Sequence, residues 1–240
     1  RDNIEMLVKV MGDVNPTADT SKWTELENNL PPYLYDETGA LKEWATTSFE
    51  ENNEHRHLSH LYCVWPLFET QGNDELTKAC EQAIANRESE NEASHALVHR
   101  SLIAARLKDS SSFTDALVNL MNHKIRYDSL MTNHDYDQGS CYCTDFAIGY
   151  LGIINEALVY SHNSDIELLP ALPDSGFESG TLSGIKTRNR ATVTKLEWSD
   201  SGKSVSAVIT SDIDQTLNIS SNGTSQTVEF KAGESKSITF

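Results

Sequence analysis

The sequence predicts a mainly α protein with a β domain, the helical part over residues 1–172 and a small antiparallel β-sandwich over 173–240. Three observations carry this. Apolar residues repeat with a helical period up to about residue 172. After Pro170 and Pro173 they alternate with polar ones in short runs rich in Thr, Ser and Val. Turn residues separate those runs, as in Asp200-Ser201-Gly202-Lys203 and Ser221-Asn222-Gly223.

In chain order, Ile4, Leu7, Val8 and Met11 form the first helical stripe, and Leu76, Ala79, Ala83 and Ile84 form another. Phe113, Ala116, Leu117, Leu120 and Met121 form a third, with Ser112 as the expected N-cap and Asp115 in a capping-box position. Leu97 to Leu107 and Phe146 to Leu158 are apolar nearly all round, which predicts inner helices packed on both sides. Roughly six helices at similar spacing fit half of a larger helical toroid. In the β part, Leu196 and Trp198 share a face, as do Val205, Ala207 and Ile209, then Leu217 and Ile219, Val228 and Phe230, and Ile238 and Phe240.

Composition narrows the partners. The 240 residues include 36 Asp and Glu against 19 Lys and Arg, a formal charge of −17, so a grip on nucleic-acid phosphates through clustered cations is not expected. The 38 % hydrophobic content fits a globular chain, and no apolar stretch approaches the ~20 residues that span a bilayer, so no membrane partner is expected. Arg1 opens directly into an amphipathic run, which reads as a piece of a longer chain. Cys63 and Cys80 sit in apolar helical contexts and read as small hydrophobes, while the one-residue spacing of Cys141 and Cys143 suits neither a zinc ribbon nor a redox pair.

Three segments carry more polar functionality than packing requires. Glu54-His55-Arg56-His57-Leu58-Ser59-His60-Leu61 places His57 and His60 at i, i+3 near a helix start, with Leu58, Leu61 and Trp65 as its apolar stripe. Three readings stay open for it: local hydrogen bonding, a site for a polyhydroxylated or anionic ligand, and zinc, against which the interleaved Arg56 argues by charge. The loop from Asn133 and His134 to Thr144 leads into Asp145 at the start of an inner helix, where a carboxylate caps free N–H groups or faces a barrel mouth as a catalytic acid. Asp135, Asp137 and Gly139 lack the remainder of a calcium loop. Glu43-Trp44 reads either as a sugar platform beside an acid or as a packed Trp beside a surface Glu. No dinucleotide, Walker or nucleophile-elbow motif occurs, and no metal or cofactor is expected.

Four motifs then resemble glycoside hydrolase family 95, the 1,2-α-L-fucosidases and relatives: Leu30-Pro31-Pro32-Tyr33, Gly39-Ala40-Leu41-Lys42-Glu43-Trp44, His55-Arg56-His57-Leu58-Ser59-His60-Leu61-Tyr62 and Leu168-Leu169-Pro170-Ala171-Leu172-Pro173. The resemblance implies the second half of an (α/α)6 barrel followed by a β-sandwich, and a secreted or cell-surface setting. It implies that Arg56 and His57 bind the sugar, with Glu43 and His134 as further substrate-binding candidates. Asp145, eleven residues before Glu156, takes the place of the Asp that polarises a water-activating Asn pair. The implied reaction inverts the anomeric centre of terminal α-L-fucosyl or α-L-galactosyl residues in oligosaccharides or polysaccharides. The general acid would lie upstream, in an N-terminal half missing from this chain, so the isolated chain is expected to be inactive. Phe146-Ala147-Ile148-Gly149 stands where the family usually reads Gly-Asn-Phe-Gly, and Ser94-His95 stands in a region that usually reads Gly-Trp-Ser. Both point to a divergent subgroup. Competing readings are a non-catalytic carbohydrate-binding or scaffold module and another (α/α)6 carbohydrate-active enzyme.

Overall fold

The computed structural model describes residues 1–87, 93–123, 125–126, 129, 131–134 and 141–240. The chain divides into two compact units, Arg1–Asn91 and Glu92–Phe240.

The first unit holds α1 (Asp2–Val14), α2 (Ser21–Asn28), a short 3-10 helix (Ser59–Cys63) and α3 (Asp74–Ala85). Helix α3 follows its sequence signals closely. Asn73 caps it by accepting the Leu76 N–H at 3.1 Å, Asp74 and Glu75 complement the dipole, and Leu76, Ala79, Ala83 and Ile84 are buried as the stripe predicts. Helix α1 forms, yet none of its residues is buried. The segment around His57 is not the expected α-helix. Leu58 and Leu61 are buried, but the helical turn is 3-10, starts at Ser59 and leaves His57 outside. Pro66 explains the short turn, because it disfavours α geometry at the residue before it.

The second unit holds α4 (Ser94–Leu107), α5 (Ser110–His123), β1 (Ile125–Arg126), β2 (Met131–Thr132) and α6 (Thr144–Leu158), then β3 (Val159–His162), β4 (Asp165–Leu168), β5 (Gly180–Leu182), β6 (Ile185–Lys186), β7 (Ala191–Ser199), β8 (Ser204–Ser211), β9 (Gln215–Ser221), β10 (Thr224–Phe230) and β11 (Ser235–Thr239). Helix α4 is buried on nearly every face, as its all-round apolarity predicts. Helix α5 buries only Phe113, Ala116, Leu117 and Leu120, and its cap is Asp109 accepting from Ser112 N at 3.0 Å rather than Ser112 itself. The expectation for α6 holds on one side only. Phe146, Ile153, Ala157 and Leu158 are buried, whereas Ile148 and Leu151 are 79 % and 71 % exposed.

Helices α4 and α6 pack side by side and run parallel. Ser94, at the N-terminal end of α4, hydrogen-bonds Asn133, whose neighbour Thr132 is bonded to Cys143 at the start of α6, while Arg106, near the C-terminal end of α4, meets Glu156, near the C-terminal end of α6. At that far end three charges form a node. Arg106 Nε donates to Glu156 Oε2 at 2.8 Å, Arg106 Nη2 reaches Oε1 at 3.4 Å, and Arg188, from the β6–β7 connection, donates to Oε1. Arg188 N also donates to Ser161 Oγ of β3 at 2.9 Å.

The β part is two sheets, ordered β10-β9-β4-β3 and β11-β8-β7-β5 with β6 also on β7. They enclose one core that draws Ile166, Leu168, Leu217, Ile219 and Phe230 from the first and Val193, Leu196, Trp198, Val205, Ala207, Ile209 and Ile238 from the second. Asn222 and Gly223, both at positive φ, make the two-residue turn of the β9–β10 hairpin. Gly180 lies against the Trp198 ring, where an added Cβ would come within 2.2 Å. Two features correct the sequence reading. The helical period ends at Leu158 and not near 172, because Val159–His162 and Asp165–Leu168 are strands. The β4–β9 pair is parallel, in an otherwise antiparallel set.

Burial opposes ionisation of Glu156, but the hydrogen bond from Arg106 and the charges of Arg106 and Arg188 outweigh it, so the carboxyl lies below its ordinary value of 4.5. Glu156→Gln leaves Arg106 buried without its counter-charge and should cost about 3–5 kcal/mol by urea denaturation. A depressed folded-state value means that this stabilisation is complete above about pH 4.5 and is lost as the pH falls through the folded value. The urea midpoint of the unmodified protein should therefore fall more steeply below pH 4.5 than that of Glu156→Gln.

Candidate functional site

In the first unit, an Asp-anchored turn presents Glu43 and Trp44. Asp36 Oδ1 accepts from Thr38 N at 2.8 Å, Thr38 Oγ1 at 2.7 Å and Ala40 N at 3.0 Å, and Gly39 takes the positive φ that closes the turn. Ala40 and Leu41 are buried, and Leu41 N donates to Ala79 O of α3 at 3.0 Å. The next residues are thereby fixed against a rigid helix. They open onto a cleft of about 560 Å³ lined by Glu43, Trp44, Phe49, Glu50, Asn52 and His55. The Trp44 and Phe49 rings meet edge to face at 5.4 Å and stand 43 % and 58 % exposed, an arrangement suited to the apolar face of a pyranose ring between carboxylates and amides.

Arg87 holds this cleft together from behind. It is 8 % exposed, donates to Asn52 O at 2.7 Å and His55 O at 3.1 Å, lies 3.2 Å from His60 Nε2 and pairs with Glu43 at 3.7 Å. Burial lowers its pKa against the opposing charges of Glu43 and Glu51. Glu51 also accepts the Glu43 N–H at 2.7 Å and pairs with Lys42 at 2.8 Å, which fixes the backbone at Glu43.

Arg56 and His57 are not among the cleft-lining residues. The His57 ring stands 4.8 Å from that of His55, which does line it. Burial first, then the charges of His55 and Arg56, against a smaller opposite pull from Glu43, bring His57 below its ordinary value of 6.5. At neutral pH it is therefore an uncharged imidazole that can both donate and accept.

The second unit holds His134 and Asp145. His134 N donates to Cys141 O at 2.9 Å, Cys143 N donates to Thr132 O at 3.2 Å, and Thr132 Oγ1 donates to Cys143 O at 2.6 Å, so the residues before Asp145 are tied to β2. Ser94 Oγ donates to Asn133 O, and His95 Nδ1 stands 3.3 Å from His134 Nε2, which places the imidazole pair at the N-terminal end of α4. Asp145 is exposed in the first turn of α6, where the dipole favours its charge. It is not the N-cap; that position is Cys143, which makes no side-chain cap bond. Asp135, Asp137 and Gly139 lie outside the described residues. Among the described residues no three His, Cys, Asp or Glu side chains converge as a metal site requires.

The structure thus gathers Glu43, Trp44 and the His55–His60 segment in one unit, and His134 and Asp145 in the other. Sequence reasoning missed Arg87 and His95. Arg87 carries no motif, and the main-chain carbonyls it binds lie 35 and 32 residues away.

Against known proteins, residues 3–158 match the glycosyl hydrolase family 95 catalytic domain and residues 160–240 match the glycoside hydrolase family 95 C-terminal domain. These two matches span almost the whole chain and place it among the glycoside hydrolase families. The chain belongs to family 95. It is 26 % identical over 198 residues to alpha-L-fucosidase 2 of Arabidopsis thaliana, covering 79 % of this chain and 23 % of that protein. The chain therefore spans about a quarter of that relative's length. A solved structure, "Putative kojibiose phosphorylase from human microbiome", superposes with a TM-score of 0.50 at 13 % identity, over 99 % of this chain and 38 % of that one, a likeness of fold alone.

Arg87→Met should leave the Asn52 and His55 carbonyls and Glu43 without their shared donor. The expected loss is about 2–3 kcal/mol in urea unfolding, read from Trp fluorescence.

Proposed function

We propose that this chain is the C-terminal portion of an inverting glycoside hydrolase that releases terminal α-L-fucosyl, or closely related α-L-galactosyl, residues from glycans. The observation that carries the reading is the paired match to the catalytic and C-terminal domains of family 95 in one continuous stretch. The fucosidase relative supports the sugar class. The cleft supports a carbohydrate ligand, since two exposed aromatic rings beside Glu43, Glu50 and Asn52 offer both a stacking face and hydroxyl partners.

In this reading the helical segments complete an (α/α)6 barrel with residues upstream. The parallel pair α4 and α6, and the uncovered Ile148 and Leu151, suit inner helices that pack against further neighbours. Arg56, His57, Glu43 and His134 bind the sugar. Neutral His57 both donates to and accepts from hydroxyls, and Arg56 supplies a fixed donor fork.

Asp145 works on the base side of the reaction. An amide oxygen is a weak base, and a carboxylate accepting the amide N–H makes it stronger, so that it can take a proton from the attacking water. The general acid and the amides lie upstream of Arg1, which leaves the isolated chain without turnover.

In the full-length enzyme, Asp145→Asn should lower kcat on a fucosylated oligosaccharide by about 10²–10⁴-fold with KM little changed. His57→Ala should act mainly on KM. Undiminished turnover in Asp145→Ala would overturn the base-side assignment, and turnover by the isolated chain would overturn the upstream acid.

A further inference from the structure

Two buried thiols of the first unit do not line the cleft. Cys63 ends the 3-10 helix after the His55–His60 segment, and Cys80 lies in the middle of α3. Their exposures are 4 % and 0 %, and their Sγ atoms are 3.7 Å apart. The Cys63 thiol also points at His60 O, 3.6 Å away, so its side chain is confined to the small space between the His-bearing segment and α3. A disulfide needs sulfurs at about 2.05 Å, and a closing of about 1.7 Å is within the reach of side-chain rotation and slight backbone adjustment.

We propose that Cys63 and Cys80 are joined by a disulfide that fastens the segment carrying Arg56, His57 and His60 to α3. The bond forms during folding, while both sulfurs can still be reached. The thiolate of one cysteine attacks a low-molecular-weight disulfide such as oxidised glutathione, releasing one glutathione thiolate. The second cysteine thiolate then attacks the mixed disulfide at the cysteine sulfur and releases the other. Two cysteine thiols and one glutathione disulfide become one protein disulfide and two glutathione thiols, and the two protons pass to the released thiolates. Once folded, contact between the thiols and burial raise the Cys80 pKa far above neutrality, so unoxidised protein resists later exchange.

The position gives the bond a consequence. Helix α3 already receives Leu41 N at Ala79 O, one residue before Cys80, so both polypeptide segments that furnish the cleft would be anchored on neighbouring residues of one helix. Cys141 and Cys143 belong to the other unit and play no part. The inference does not depend on the sugar that is bound.

The test folds the full chain from the reduced state with oxidised glutathione, then blocks it in denaturant with iodoacetamide before digestion. The expected product is a Cys63–Cys80 linked peptide, about 2 Da below the sum of its reduced parts, with Cys141 and Cys143 alkylated. The oxidised protein should melt about 5–10 °C above the reduced one. The double variant Cys63→Ala, Cys80→Ala should show no dependence on dithiothreitol. Alkylation of both Cys63 and Cys80, or a link from either to Cys141 or Cys143, would overturn the proposal. An oxidised protein that melts no higher than the reduced one would overturn the fastening role. Should the double variant fail to fold, the peptide map and the melting shift of the unmodified chain decide alone.

Discussion

The carboxylate of Glu156 is the point on which the second unit depends. It lies where two helices and the β part converge, and each sends a group to it: Glu156 itself from α6, Arg106 from α4 and Arg188 from the β6–β7 connection. A buried carboxylate between two guanidiniums contributes little net energy over an apolar substitute, but it is intolerant of any other geometry. It therefore fixes the rotation of α6 about its axis. Eleven residues make just over three helical turns, so Asp145 and Glu156 share a face, about 16 Å apart along the axis. The orientation of the one is thereby set through the other.

The first unit uses the same device in a looser form. One buried cation, Arg87, gathers two carbonyls, a carboxylate and an imidazole from segments whose regular structure is limited to the short 3-10 helix that carries His60. Charge-assisted bonds to main-chain oxygens are among the few interactions strong enough to hold such segments without a helix or sheet ladder. Scaffold and cleft are consequently inseparable, since the residue that organises the loops also pairs with Glu43 at the cleft.

Much of this was legible in the sequence, and the exceptions share a cause. The stripes of α3 and α5 and the alternating faces of β7, β8, β9 and β11 depend on neighbours a few residues away, and they fold as their periods predict. Strands β3 and β4 escaped notice because the apolar run of α6 continues through Val159 and Tyr160 without a Gly or Pro, so no punctuation marks the change. The parallel pairing of β4 with β9 joins segments about fifty residues apart and leaves no local trace. For the candidate site, the sequence named Glu43, the histidine segment and the loop into α6, which carry unusual clusters of polar residues. It passed over Arg87 and His95, whose partners are distant in the chain.

The direct passage from α6 into β3 has a further consequence. Val159 is both the C-cap of the helix and the first residue of the strand, with no residue between, and Leu158 and Val159 belong to the sandwich core. The two family matches meet at this same place. A junction of zero length cannot bend as a hinge, nor offer a protease an extended stretch to grip. Helix and sandwich must move as a single lever, and over generations such a seam favours inheritance of the two domains together rather than their exchange as separate modules.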